Sequence, residues 1–477
     1  MTNPSHTPPR PFILLVSHAL TGHLSPLLRI AGALHARGWE TFFLGPTAHK
    51  QRIESTGAEF LPLRADADLD DKAYYETPPH ANYASLHWAD RVLVDLREQC
   101  LNPLPTQWIC FTDALLSLRA RDPSRGIVLV AEAFFYGILP LFFGAQLPDG
   151  VPAGSILGSV CISVTVPAIR SVDLAPPGYP FPYDASPAGR ARSAKLWERS
   201  WERKARGLTA LLDARMLDAG ASRTVGEIFL SGANYTCHET VLQLGVPGFE
   251  YPRGDWPAGF RFAGLVQGTS RAGPKPKDPL FAWWSEIVAN SALPLDRRRR
   301  VVVVAQGTVE INPYDLIIPT IRAFDGNDKV LVVAILGWKD ASLPIDVPSN
   351  ARIADYLSYD AVLAHADVWV HNAGFGAVNH GIANGVPMVV AGEGMDKTEN
   401  SRRVAWSGIG VDLECVKPTT EQVREGVERV LRDERYVSKV KELQKQSEDI
   451  DCFNLIHEEL LKIIERRPGI RQQGLDF

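Results

Sequence analysis

Two separate stretches of the chain alternate short, continuously apolar runs with the residue spacing of amphipathic helices. The first stretch opens with the run Phe12 to Val16 and continues with Thr41 to Leu44. The second opens with Val301 to Ala305 and continues with Val330 to Leu336. A run that is apolar at every position is typical of a parallel strand covered by helices on both faces. The sequence therefore predicts two α/β domains, each built on a parallel sheet.

The segment between these stretches has the composition of a linker. Residues 248–296 are rich in proline, glycine and charge, as linkers commonly are. We therefore predict an N-terminal domain at 1–247, a linker at 248–296, a C-terminal domain at 297–437 and terminal helices at 438–477. Two such domains leave a ligand cleft where the carboxyl ends of both sheets face each other.

The composition excludes several classes of protein. Of the 477 residues, 45% are hydrophobic and 22% charged, which suits sizeable cores and not a disordered or fibrous chain. A net charge of -5 gives no attraction to nucleic acid. The six cysteines form no CxxC pair, so neither a zinc site nor a disulfide framework is indicated. No signal peptide or membrane-spanning segment stands out. We expect a cytoplasmic protein without integral membrane association.

The segment at residues 367–400 carries the clearest chemical pattern. A buried strand ends at Asn372, a turn with Gly374 and Gly376 follows, and a helix then begins. Small residues let the backbone approach an anion, and the first free amides of the helix point at it. Diphosphate is the natural ligand, and a turn with packing duties only is the alternative. A dinucleotide fingerprint is disfavoured because its third glycine would fall at Asn379.

Three motifs carry a family resemblance that spans nearly the whole chain. They are Gly374 with Gly385-Val386-Pro387, Asp396 and Asn400; Gly22-His23-Leu24-Ser25-Pro26 running to Ala31; and Phe260-Arg261-Phe262-Ala263-Gly264. Together they resemble the motifs of family 1 UDP-glycosyltransferases, which have the GT-B fold. The resemblance implies two facing Rossmann-like domains with an interdomain cleft. It also implies that the terminal helices pack back on the N-terminal domain.

The activity implied by the resemblance is an inverting, metal-independent transfer of a hexose from a UDP-sugar, glucose by default. The implied acceptor is a hydroxyl of a small, apolar molecule such as a phenol, a flavonoid or another secondary metabolite. We expect no cofactor beyond the sugar donor, and a monomer or weak homodimer. A sterol or glycolipid acceptor, a sugar-nucleotide epimerase and a non-catalytic helper protein remain alternatives.

The donor site implied by the resemblance lies mostly in the second domain. The phosphates are expected at Gly307-Thr308 and at the turn from Asn372, uracil at Tyr356, and the sugar at Asp396 and Lys397. The expected donor-binding residues are Gly22, Gly307, Thr308, Tyr356, Ser358, Tyr359, Asn372, Gly374, Phe375, Gly376, Ala377, Val378, His380, Asp396 and Lys397. Most members have histidine, a hydroxyl residue, glutamate and glutamine where this chain has Asn372, Ala377, His380 and Lys397. Similar changes occur in a bacterial and fungal branch.

His23 is the expected general base, because it follows the first strand and sits in the Gly-His-x-x-Pro context. His18 is a rival without that context. Glu132, after the strand Ile127 to Ala131, is expected to orient His23; a buried helix-capping acid is the alternative. His87, Trp88, Phe134 and Phe135 are expected in the acceptor pocket, with core packing as the alternative. The acidic run from Asp66 to Asp71 has carboxylates suited to a metal, but we predict no metal site.

Overall fold

The structure, a computed structural model, describes residues 9–77, 82–179, 181–266, 281–307 and 312–466. Thr308, one of the predicted phosphate contacts, lies outside the described residues. Within them the chain forms two parallel sheets, as predicted. The first contains β1 (Phe12–Val16), β2 (Thr41–Gly45), β3 (Glu59–Pro62), β4 (Ile127–Glu132), β5 (Ile156–Ser163), β6 (Thr240–Gln243) and β7 (Phe260–Phe262) in the order β3-β2-β1-β4-β5-β6-β7. The second contains β8 (Arg300–Ala305), β9 (Val330–Ile335), β10 (Ala351–Ala354), β11 (Val368–His371), β12 (Met388–Val390) and β13 (Gly410–Asp412) in the order β10-β9-β8-β11-β12-β13.

Helices cover both faces of each sheet. They are α1 (Thr21–Ala36), α2 (Lys50–Glu54), α3 (Asp71–Glu76), α4 (Trp88–Asp95), α5 (Leu104–Arg121), α6 (Leu139–Phe142), α7 (Pro187–Lys195), α8 (Glu202–Asp218), α9 (Ala233–Thr236), α10 (Trp284–Ser291), α11 (Ile317–Ala323), α12 (Tyr359–Leu363), α13 (Phe375–Ala383), α14 (Lys397–Trp406), α15 (Thr420–Arg432), α16 (Glu434–Asp449) and α17 (Cys452–Arg466). Among the described helices, none has both the length and the apolar character needed to cross a bilayer.

The apolar strands are buried because a core lies on each face of the sheet. In β1, Leu14 joins the core beneath α5, while its neighbours Ile13 and Leu15 join the core beneath α1. In β8, Val303 and Val304 likewise belong to opposite cores. Side chains of a strand alternate between faces, so a strand covered twice needs apolar residues throughout. This explains why these two strands were predicted at nearly the observed bounds.

Two local predictions were wrong. The pair Ser25-Pro26 predicts a capped helix start there, after a loop over 17–24, but α1 already begins at Thr21, so His23 lies in the first turn of the helix. The hydroxyl of Ser25 donates to the carbonyl of Thr21 within the helix and does not cap its start. The sequence also suggests a strand at 233–237, but the short helix α9 lies there, and the strand follows it at Thr240.

Residues beyond the second sheet return to the first domain. Helix α16 contributes Val440 and Leu443 to the C-terminal core. Helix α17 contributes Ile456 and Leu460 to the core that contains Ile13. The range 248–296, for which we predicted a linker, adds β7 to the first sheet and packs α10 on the second domain. The two domains are therefore joined at this segment and again by the step from α16 to α17.

Replacing Ile456 with alanine should lower the free energy of unfolding by about 2–5 kcal/mol, because the side chain is fully buried and leaves a cavity. Leu461 on the same helix is 36% exposed, and its replacement with alanine should cost about 1 kcal/mol or less. Denaturant unfolding of both variants measures the difference. Equal, small losses would contradict the docking of α17 on the first domain.

Candidate active site

A deep cleft lies between the two domains, at the carboxyl ends of their strands. Its space amounts to about 1600 Å³, including the open mouth. The first domain contributes His23, Trp88 and Phe134 to its lining, and the second contributes Asp396 and Glu399. Most of the remaining lining is apolar, so the cleft suits a ligand with a largely apolar body and a few polar groups.

His23 and Glu132 form a hydrogen-bonded pair on the first domain. Glu132 is the last residue of β4, and its side chain is fully buried. Its Oε1 lies 3.0 Å from His23 Nδ1, and its Oε2 accepts the backbone N–H of His18 at 3.4 Å. Because a carboxylate only accepts hydrogen bonds, Nδ1 carries the proton and Nε2 keeps the free lone pair. The pair has the geometry of an oriented general base, and Glu132 does not act as a helix-capping acid.

The environment of His23 favours its protonated form. Burial lowers the pKa of this imidazole, but the charge and the hydrogen bond of Glu132, with a smaller contribution from Asp396, raise it above the ordinary value. Asp396 belongs to the second domain and lines the same cleft as His23. A proton taken up at Nε2 would therefore be stabilised by two carboxylates from two domains.

His18 is not available as the base. The N–H of Leu20 donates to its Nδ1, and its Nε2 lies 3.1 Å from the carbonyl of Gln99, to which it donates. Burial lowers the pKa of His18 to about 4, and the nearby charge of His23 acts in the same direction. Both ring nitrogens are thus occupied in a neutral, structural imidazole.

Replacing Glu132 with glutamine should move the acid limb of the rate-versus-pH profile to lower pH. In the predicted role of His23 the neutral imidazole is the base, so activity should be lost as pH falls through its pKa, which the carboxylate raises. The maximal rate should also fall about 10- to 100-fold, because a charge-assisted hydrogen bond stabilises the imidazolium by about 1.5–3 kcal/mol. A pH profile of kcat/KM measures both effects; an unmoved limb would contradict the pairing.

The turn after β11 leaves free amides at the carboxyl end of its strand. Helix α13 begins at Phe375, so the N–H groups of Phe375, Gly376 and Ala377 lie in its first turn, where no helical carbonyl precedes them. The N–H of Val378 is already bonded to the carbonyl of Gly374. Val378 and the ring of Phe375 are buried in the core. The predicted contact through Val378 is therefore wrong, and Phe375 can offer only its backbone.

Asparagine side chains hold this turn in place. Asn372 Nδ2 donates to the carbonyl of Gln306, which ties the turn to the end of β8 beside Gly307. Asn400 Nδ2 donates to the carbonyl of Ala373 at 2.8 Å and to Asp396 Oδ2 at 3.1 Å. Ala373 has a φ of 61°, in the left-handed region that such support makes tolerable. The two halves of the predicted donor motif thus form one connected structure, with Asp396 and Lys397 at the start of α14.

The predicted nucleoside contacts have mixed surroundings. His380 Nδ1 lies 2.6 Å from Asp360 Oδ1, to which it donates, and Arg29 of the first domain contacts the other oxygen at 3.2 Å.

Tyr356 is 61% exposed, so stacking on uracil stays a prediction. Tyr359 packs against Trp369 and His380 instead of facing a base. Burial raises the pKa of Tyr359 to about 12, which agrees with a packing role. Ser358 precedes α12 beside it, and Gly22 is exposed next to His23 in α1.

Two of the four predicted acceptor residues lie in the cleft. Trp88 and Phe134 line it, and the ring of Phe134 meets His23 edge-on with centroids 5.5 Å apart. His87 instead caps α4 by accepting the N–H of Ala89, and Phe135 is buried in the core. Sequence reasoning missed the loop after β5 and the tryptophans Trp197 and Trp201, which also line the cleft.

Three carboxylates of the acidic run accept hydrogen bonds from backbone or side-chain groups of the first domain. Asp68 accepts the N–H and the hydroxyl of Thr47, and Asp70 caps α3. Asp71 accepts the N–H of Thr21 at 2.8 Å and so supports the start of α1. The last of these contacts fixes the turn that carries His23.

Known proteins resemble this chain over nearly its full length. Residues 320–452 match the family described as Erythromycin biosynthesis protein CIII-like, C-terminal domain. The chain is 33% identical to UDP-glucosyltransferase 1 of Beauveria bassiana, over 94% of this chain and 95% of that protein. It is 32% identical to UDP-glycosyltransferase 2 of Phaeomoniella chlamydospora, over 94% of each chain. Among solved structures, the glycosyltransferase of kitacinnamycin superposes with a TM-score of 0.65 at 21% identity, covering 95% of this chain and all of that one.

Proposed function

The chain belongs to the family 1 UDP-glycosyltransferases and has their GT-B fold, and from that premise we propose that it glucosylates a small, largely apolar acceptor. In the proposed reaction a hydroxyl of the acceptor attacks the anomeric carbon of UDP-glucose. The bond from that carbon to the diphosphate oxygen breaks, and UDP leaves. The acceptor proton passes to His23 Nε2. Direct displacement of this kind inverts the anomeric configuration.

The observation that carries the proposal is the 3.0 Å contact between His23 Nδ1 and Glu132 Oε1 at the wall of the cleft. It leaves Nε2 as an acceptor for the substrate proton and puts a buried carboxylate behind the imidazolium that forms. His23 and Asp396 line the same cleft from opposite domains, which supports a donor sugar lying between these two residues.

The diphosphate is proposed to lie at the start of α13. The amides of Phe375, Gly376 and Ala377 and the positive end of the helix dipole suit its charge. The supported turn holds these donors in place before the reaction, which is what makes such groups effective in stabilising developing charge. Asp396 and Lys397 are proposed to bind sugar hydroxyls, and His380 a ribose hydroxyl. With these donors in place, we propose that the transfer needs no metal ion.

The test is to incubate the purified protein with several UDP-sugars and a panel of phenols, flavonoids and lipids, with and without EDTA. We expect a glucoside of one acceptor class, with the β configuration by NMR and a yield that EDTA does not change. Release of an epimerised sugar without acceptor would indicate an epimerase instead. Failure to bind or consume any UDP-sugar would overturn the proposal.

A further inference from the structure

One loop of the first domain forms a continuous wall of the acceptor side of the cleft. Residues 165–184, here called the acceptor loop, follow β5, and fifteen of the residues described in this range line the cleft. Its apolar contacts with the cavity include Val166, Ile169, Leu174, Pro177, Tyr179 and Phe181. The remote part of an acceptor would therefore rest on this loop.

The start of the loop is fastened to the segment that leads out of the first domain. The guanidinium of Arg253 donates to the carbonyls of Ile169 and Arg170 at 3.1 and 2.8 Å. Asp255 accepts the hydroxyl of Ser171 and the N–H of Val172 at 2.9 and 2.8 Å. These bonds fix the first part of the loop. Further along, Trp197 Nε1 donates to the carbonyl of Leu174, and the hydroxyl of Tyr183 donates to the carbonyl of Pro252.

At Gly178 the loop is also bonded to the second domain. The N–H of Gly178 donates to Glu399 Oε1 at 3.1 Å, across 221 residues of sequence. Glu399 Oε2 accepts from Arg403 at 2.7 Å, and Arg403 is held in turn by Glu250. Glu399 and Asp396 lie one turn apart at the start of α14, and both line the cleft. The residue that supports the acceptor loop is thus placed by the same helix start that presents Asp396 to the sugar.

We propose that Glu399 is a positioning residue that selects the acceptor by holding the acceptor loop against the donor domain. This inference rests on the proposed function. One oxygen of the carboxylate accepts from Gly178 and the other from Arg403, and the side chain itself lines the cavity, so its position shapes the acceptor space. Because Gly178 belongs to the first domain and Glu399 to the second, this bond ties acceptor selection to the donor helix.

Steady-state kinetics of Glu399→Ala test this role, with two acceptors of different size. Loss of a hydrogen bond to a charged group predicts a rise in acceptor KM of about tenfold and a reduced preference between the two acceptors. UDP affinity and the KM for the UDP-sugar should stay within about twofold, because the amides of α13 are untouched. Arg403 keeps its bonds to Glu250, so the fold should persist. Glu399→Gln, whose amide oxygen can still accept the Gly178 N–H, should recover most of the wild-type acceptor KM.

Glu414→Ala is the matched control. Glu414 pairs with Arg402, which belongs to α14 as Glu399 does, but Glu414 does not line the cleft. Its replacement should leave the KM for the acceptor and the KM for the UDP-sugar unchanged. An acceptor KM and preference equal to wild type in Glu399→Ala would overturn the proposal. So would a joint loss of UDP affinity and thermal stability, which would mean a structural role only. Absence of transfer by the wild-type protein would instead count against the proposed function.

Discussion

Replacing His23 with alanine is expected to lower kcat by about 10²- to 10⁴-fold, the range that a positioned general base contributes. Without the imidazole, the acceptor hydroxyl must lose its proton to water in a largely apolar cleft. UDP affinity should change by no more than about twofold, because the proposed diphosphate site lies on the other domain. Product formation in single-turnover assays and calorimetric titration with UDP measure the two effects separately.

The matched control for this variant is His365→Ala. His365 is half-buried in the second domain, where its Nδ1 lies 2.9 Å from the hydroxyl of Ser291, and it does not line the cleft. Its loss should leave kcat unchanged. Turnover retained in His23→Ala, or a loss of UDP binding without a loss of turnover, would show that His23 is not the base.

Replacing Gly376 with aspartate should weaken UDP binding about 100-fold or more, since a like charge placed against a bound anion costs several kcal/mol. Apart from its chain neighbours and the backbone of its own helix, nothing described lies within 4 Å of a Cβ placed at Gly376, so the variant should fold. An acidic residue in the first turn of a helix is even favourable, by about 0.3–1 kcal/mol. The expected result is therefore lost UDP affinity with equal or higher thermal stability, measured by titration and thermal unfolding.

The neutral isostere Gly376→Asn separates charge from size. Both side chains fill the same space, so any difference in UDP affinity between the two variants reports the charge. If aspartate and asparagine weaken UDP equally, steric obstruction explains the loss. If neither weakens it, the diphosphate does not bind at the start of α13.

The parts of the fold that the sequence predicts well are those in which a local pattern follows from burial. A strand covered on both faces must be apolar throughout, so the apolar runs of β1 and β8 are enough to predict these strands. Parallel strands also bring their carboxyl ends to one edge. That is why His23 and Glu132, 109 residues apart, could be expected to meet. The family resemblance supplied the choice of His23 over His18.

Other features depend on contacts between residues far apart in sequence, which no local pattern predicts. The start of α1 at Thr21 relies on Asp71, 50 residues away, accepting the N–H that a local cap would normally satisfy. His87 and Trp88 are neighbours, but only Trp88 lines the cleft, because the ring of His87 turns back to cap its helix. The acceptor loop is held by Arg253, Asp255 and Glu399, which lie in segments far from it in sequence. Tertiary contacts, not composition, give it its form.

A crystal structure of the protein with UDP tests the central claim most directly. We predict that the diphosphate oxygens will accept hydrogen bonds from the amides of Phe375, Gly376 and Ala377. The distal phosphate should face the space between Asp396 and His23. A diphosphate bound anywhere else, with the first turn of α13 left to water, would contradict the assignment of both the donor site and the catalytic base.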